Sequence, residues 1–248
     1  VSRSIIELQS VSKAFGGVIA NRQVTLDVEL GSITALIGPN GSGKTTLFNS
    51  IAGQHPIDSG SIRFEGREIS RLNAQQIARL GLVRTYQQTR IFSKMDCIQN
   101  MLISTSHREG EWRDMFRPFQ RELQDRAEHL LGFVGLYAKR RLVAGTLSFG
   151  QQKLLEFAMA LMNEPKVLLL DEPTAGINPT LINGLIDRLK RAHSEFGITL
   201  FVIEHNMRVI MNLAQRIYCL SRGELLADGT PDQIQNDQRV VDAYLGVQ

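Results

Sequence analysis

The segment Gly38-Pro39-Asn40-Gly41-Ser42-Gly43-Lys44-Thr45 constrains this chain more than any other. It follows an apolar run, Ile33–Ile37, that reads as a short buried strand, and precedes Leu47, Phe48, Ile51 and Ala52 at helical spacing. A GxxxxGK[ST] pattern between a strand and a helix is the context of a phosphate-binding loop. The chemistry explains the residue types. Glycines let backbone N–H groups turn inward around a phosphate, and the helix start adds positive partial charge. Lys44 is expected to neutralise the β- and γ-phosphates, and the Thr45 hydroxyl to ligate Mg²⁺, with Thr46 completing the binding set. A chance match in a glycine-containing turn is expected in roughly one chain of this length in a hundred. The flanking strand and helix reduce that further.

Two later stretches qualify the loop. Val167-Leu168-Leu169-Leu170 is wholly apolar and ends in Asp171-Glu172-Pro173. Such a strand suits the centre of a parallel sheet covered on both faces. Carboxylates at its C-terminal end enter the crevice where these sheets bind ligands. Asp171 is then placed to hold Mg²⁺ through water, and Glu172 to polarise an attacking water. Paired acids can also be an ordinary turn, but the upstream loop favours the chemical reading. Before this strand, Leu147-Ser148-Phe149-Gly150-Gln151 opens a helical pattern carrying Leu154, Phe157, Ala158 and Leu161. Ser148 and Gln151 have capping-box spacing. A capped helix start beside a glycine is also an anion site, so the structural and functional readings coexist.

The order of phosphate loop, LSFGQ and LLLLDEP resembles the ATP-binding cassette ATPases, whose signature is usually LSGGQ. The resemblance covers nearly the whole chain. It implies an α/β fold of the P-loop NTPase type with a RecA-like core, a small antiparallel β subdomain and an inserted α-helical subdomain. The expected boundaries are about 1–86 and 160–228 for the core, 87–159 for the helical part and 231–248 for a helical tail. Further roles carry over by position. The glutamine that senses Mg²⁺ and the lytic water is similar to Gln87, with Gln88 the weaker choice. The switch histidine corresponds to His205. The adenine-stacking aromatic corresponds to Phe15, which could also be only a core aromatic. Ser148, Gly150 and Gln151 would face nucleotide held by a second cassette. Two departures stand out, Phe149 in place of a signature glycine and Asn178 in place of the usual aspartate of the D-loop. The first is not read as inactivating; the second leaves the D-loop's part in communication open.

The resemblance narrows further to ATPase subunits of bacterial importers for branched-chain and other hydrophobic amino acids. It does so on Arg84-Thr85-Tyr86-Gln87, Gly150-Gln151-Gln152-Lys153, Ala175-Gly176-Ile177-Asn178-Pro179, Ile203-Glu204-His205-Asn206-Met207 and the ending Ala243-Tyr244-Leu245-Gly246. The last two runs are expected to stand apart from ATP chemistry. Implied are ATP and Mg²⁺, a second identical or paralogous cassette, transmembrane permease subunits, and a cytoplasmic location for the chain itself, peripheral on the cytoplasmic face of the inner membrane. The rivals are the ATPase of a lipopolysaccharide exporter and a soluble iron–sulfur assembly cassette.

Composition and patterning set limits. The 28 Lys and Arg against 25 Asp and Glu leave a charge of +3, too small to mark a nucleic-acid protein. Cys97 and Cys219 lie far apart without a metal-ligand pattern, so two buried reduced thiols are expected. No apolar run approaches the ~20 residues of a membrane span, and Val1–Leu8 lacks a signal-peptide h-region. Helical spacing predicts helices over Arg121–Gly135, Thr180–Arg191 and Asn206–Leu213, with two short ones in Pro231–Gln248. The resemblance implies that the helical insert contacts the membrane partner near Gln88–Met95; Trp112 and Phe116, in a charged stretch of the insert, either belong to that contact or pack on their own lobe.

Overall fold

Alternating apolar residues at the start of the chain build two long paired strands. In the computed structural model, which describes residues 3–85, 91–105 and 118–245, these are β1 (Ser4–Phe15) and β2 (Val18–Glu29). Next come β3 (Ile33–Ile37), α1 (Lys44–Ile51), β4 (Ser59–Phe64), β5 (Arg67–Glu68), α2 (Ala74–Arg79) and β6 (Leu82–Arg84). The described part of the insert carries α3 (Cys97–Ile103), α4 (Pro118–Phe133) and α5 (Phe149–Leu161). The chain then runs through β7 (Val167–Asp171), α6 (Pro179–Phe196), β8 (Thr199–Ile203), α7 (Met207–Leu213), β9 (Arg216–Ser221) and β10 (Glu224–Gly229). It ends in α8 (Pro231–Gln235) and α9 (Gln238–Leu245), the two short helices read in the tail.

Two compact units result. The first comprises residues 3–84, 166–173 and 190–245 and holds both sheets. Its larger sheet has the order β10-β9-β3-β8-β7-β6, parallel except for β10. β3, β7 and β8 are buried at every residue, which is why their sequences are apolar runs rather than alternations. The smaller sheet, β2-β1-β4-β5, is antiparallel. Strand periodicity divides the core. Leu36 packs with Leu47, Phe48 and Ile51 of α1 and with Ile6, Leu26 and Phe64 of the antiparallel sheet. Its neighbours Ala35 and Ile37 face the other way, toward Ile210, Cys219, Ile234 and Val240. The C-terminal helices therefore cover one face of the parallel sheet.

The second unit comprises residue 85, residues 91–105, 118–165 and 174–189, and is helical. Ala127, Leu130, Leu131 and Val134 are buried as the helical spacing requires. Asp96 and Gln99 close a capping box at the start of α3, and Arg188 Nε donates to Val134 O at 3.0 Å. Both cysteines are free and buried. Among the described residues no helix is long and apolar enough to cross a membrane. Trp112, Phe116, Gln87 and Gln88 lie outside the described residues.

Candidate functional site

β3 delivers the chain to Gly38 at φ 144°, and Gly41 and Gly43 follow at 79° and 98°. Conformation is only part of the reason for glycine. A Cβ on Gly38 would lie 2.1 Å from Leu220 O, and one on Gly43 would lie 2.2 Å from Ala20 O. The loop is pressed between β2 and the end of β9 and pinned there. Asn21 Nδ2 donates to Gly43 O at 3.2 Å, and Gly223 N donates to Ser42 O at 3.1 Å. α1 starts without a side-chain cap, and uncapped N–H groups at a helix start are what an anion binds. Ser42 Oγ is buried with no hydrogen-bond partner. A buried orphan hydroxyl in a loop of glycines fits a phosphate oxygen.

Lys44 is buried, and its Nζ donates to Gly38 O at 2.8 Å and Pro39 O at 3.0 Å. The ammonium thus closes the loop on itself. Burial pulls its pKa below the ordinary lysine value, while Glu172, Cys219 and Asp171 act in the opposite direction. Asn40 and Thr45 are exposed, and Thr46 is half-buried.

β3, β8 and β7 are neighbours in the sheet, so three chemical segments leave it at the same C-terminal edge. Asp171 ends β7, buried, with its Oδ2 2.7 Å from Arg84 Nη2. Arg84 also bonds the Asn49 side chain of α1. Glu172 follows at φ 49°, a costly conformation for a non-glycine residue, and its N–H donates to Ile203 O at 2.9 Å. Its Oε1 lies 2.8 Å from His205 Nε2. Buried Glu204 accepts at Oε2 from His205 N and Asn206 N, at 3.1 and 3.3 Å, which sets the turn carrying the histidine. Among the described residues no three His, Cys, Asp or Glu side chains cluster as metal ligands. Thr45 and Asp171 offer two side-chain ligands. That sparse set suits Mg²⁺, which keeps waters and substrate phosphates in its shell.

Phe15 is 45% exposed and so is not a core side chain. The His55 ring meets it edge-on at 5.4 Å, and Lys13 Nζ, tied to Asp58 at 2.8 Å, lies 5.2 Å from its centroid. The ring is a held, solvent-facing platform.

In the second unit, Ser148 caps α5. Its Oγ accepts from Gln151 N at 3.4 Å, and Gln151 Oε1 accepts from Ser148 N at 3.2 Å. A Cβ on Gly150 would meet only ordinary contacts. Phe149, the departure from the signature, lies on Gly176, where an added Cβ would fall 2.8 Å from Cε1 of its ring. Lys153 Nζ stands 5.8 Å from the centroid of that ring. Asn178 acts as a cap for α6, its Oδ1 accepting from Thr180 N and Oγ1 at 3.0 and 2.9 Å. The missing charge is replaced by a local structural role.

Comparison with known proteins decides the family. The family model described as ABC transporter matches residues 21–175. The chain belongs to the ABC transporter family. A second model, described as branched-chain amino acid ATP-binding cassette transporter, matches residues 224–248 of this cassette. The high-affinity branched-chain amino acid transport ATP-binding protein BraF of Pseudomonas aeruginosa is 40% identical over 253 residues, covering 99% of each chain. LivG of Escherichia coli K12, with the same description, is 36% identical over 253 residues at the same coverage. Among solved structures, a nucleotide-free ATP-binding cassette from an ABC transporter matches with a TM-score of 0.87 at 31% identity, covering 97% of this cassette and 98% of that chain. The ADP conformation of an ATP-binding cassette gives 0.87 and 31%, covering 99% and 100%. The expected α/β P-loop ATPase fold is therefore the one observed.

Sequence reading gave four residues of the cassette, Asn21, Arg84, Glu204 and Tyr244, no role at the site. Asn21 pins Gly43 and Arg84 pairs with Asp171. Tyr244 corrects an expectation: the closing Ala243-Tyr244-Leu245 does not stand apart, because Gly38 N donates to Tyr244 Oη at 2.8 Å. Glu204 likewise brings the Ile203–Met207 run into the site through His205.

Proposed function

We propose that this cassette hydrolyses ATP to drive import of branched-chain or other hydrophobic amino acids. It would act from the cytoplasmic face of the membrane, on permease subunits, paired head to tail with a second cassette of the same or a paralogous chain. The observation that carries this reading is the 40% identity to BraF along 99% of both chains.

At the site, Lys44 exchanges the carbonyls of Gly38 and Pro39 for β- and γ-phosphate oxygens, and the uncapped start of α1 receives the same charge. Mg²⁺, when bound, neutralises charge on the phosphate oxygens; Thr45, Gln87 and, through water, Asp171 would hold it. Phe15 offers its open face to the adenine. Glu172 orients a water and takes its proton as the water oxygen bonds to the γ-phosphorus and the bond to the bridging oxygen breaks, releasing ADP. His205, 2.8 Å from Glu172 Oε1, holds that carboxylate in place. Ser148, Gly150 and Gln151 serve the nucleotide of the partner cassette, giving ATP a higher affinity for the closed pair and so a means to do work.

The test is ATP-driven uptake of labelled leucine by the cassette reconstituted with its membrane subunits, alongside the Glu172→Gln variant. The variant should keep MgATP affinity and lose about 10²–10³ in turnover. Unimpaired hydrolysis would remove Glu172 from the mechanism. Normal hydrolysis without uptake of leucine, isoleucine or valine would overturn the substrate.

A further inference from the structure

The first glycine of the phosphate loop is held from the far end of the chain. Gly38 sits where β3 stops, so its N–H has left the sheet ladder and needs an acceptor. That acceptor is Tyr244 Oη at 2.8 Å, 206 residues away in sequence. The tyrosine rides on α9, which is anchored beneath the sheet by Val240, buried among Ile37, Cys219, Ala227 and Ile234. On the other side of Gly38 stands Leu220 O, with no room for a Cβ. The root of the loop is clamped between β9 and the C-terminal helix.

We infer that Tyr244 is a positioning residue for nucleotide binding, holding Gly38 so that the loop keeps its phosphate-ready form when Lys44 lets go. The inference rests on the reading of this loop as the nucleotide site. Two bonds from Lys44 Nζ, to Gly38 O and Pro39 O, tie the loop internally. A phosphate that recruits Lys44 breaks both. The contacts that remain at the loop's first residue are then the Tyr244 bond and the packing on Leu220. Tyr244 therefore contributes more in the bound state than in the free one, and only such a difference alters affinity. Burial, opposed by the bond from Gly38, pushes the phenol up to about 12, so the hydroxyl stays neutral across working pH. The C-terminal stretch thereby gains a function: any partner that lifts α9 from the sheet would loosen the nucleotide site.

The test uses the full chain, with ADP as the probe in calorimetric titration. It also follows hydrogen exchange at Gly38 in ¹⁵N-glycine-labelled protein. Tyr244→Phe removes the hydroxyl and keeps the ring. We expect ADP affinity to fall about tenfold, equivalent to about 1.4 kcal/mol, because the lost bond matters most once Lys44 has turned from the loop carbonyls to the phosphate. Exchange at Gly38 should quicken by a similar factor, while amides of β3, β7 and β8 keep their protection. Lys44→Ala is titrated in parallel. If Lys44→Ala loses affinity and Tyr244→Phe stays within twofold of the parent, the role of Tyr244 is refuted and the loop reading stands. If both bind ADP normally, the loop reading fails and takes the inference with it. A loss of affinity accompanied by equal loss of protection in the strands would mean general unfolding, and would also overturn it.

Discussion

Replacing Arg84 by methionine would leave the Asp171 carboxylate buried without its cation. The two groups meet at 2.7 Å, and each side chain is 4% exposed. At that distance and an effective dielectric of about 20, their attraction is about 6 kcal/mol. Desolvation of both ions offsets most of it. The cost of the substitution is therefore not the attraction but an uncompensated charge in the core, typically about 3–5 kcal/mol. Methionine keeps most of the volume beside Phe48, whose ring centroid lies 5.9 Å from the guanidinium carbon, so a cavity adds little. Urea unfolding followed by circular dichroism, without nucleotide, measures the loss. The second arm of the experiment is Arg84→Met with Asp171→Asn. Removing the stranded charge should restore at least about 1 kcal/mol, because a neutral amide is cheaper to bury than an anion. If the single variant costs under about 1 kcal/mol, or if the double variant is no more stable than the single, the ion pair does not organise this edge of the sheet as argued.

Two further outcomes follow from the charge and burial of other groups. Burial raises the pKa of both thiols, that of Cys219 to about 11, so iodoacetamide at pH 8 should label neither cysteine in the folded chain and both in urea. Rapid labelling of the native protein would contradict their placement. Asp58 is held below its ordinary value by the hydrogen bond from Lys13 and then by that from Ala14 N–H. Its stabilising effect is present at neutral pH and disappears as pH falls through the lowered folded value. Asp58→Asn should therefore melt earlier than the parent at pH 7 and converge with it in acid; a gap that widens in acid would refute the assignment.

Much of the site was legible because its chemistry is local. Glycines at positive φ, a lysine and a threonine at fixed offsets, an apolar strand before and a helical pattern after mark the loop within a dozen or so residues. Val167–Leu170 declares a central strand by having no polar face, and Ser148 with Gln151 declares a helix start three residues apart. The tail's two helices and the helix of the insert are legible from periodicity, the latter running over Pro118–Phe133 rather than Arg121–Gly135. Phe149 and Asn178 looked like departures in sequence. In the fold, one packs on Gly176 and the other caps α6.

What the sequence determined by itself is the set of short-range instructions: which residues can bend, cap, alternate or bind phosphate. Tertiary structure alone decided which distant groups complete them. Asn21 meets Gly43 across 22 residues, Arg84 meets Asp171 across 87, and Tyr244 meets Gly38 across 206. The reason is the topology: the order β10-β9-β3-β8-β7-β6 sets β6 beside β7, while β2 of the other sheet and α9 pack against the loop that follows β3. A backbone N–H at a strand end or a carboxylate under a sheet edge must find a partner once buried. Its identity depends on which strand and which helix the topology places beside it.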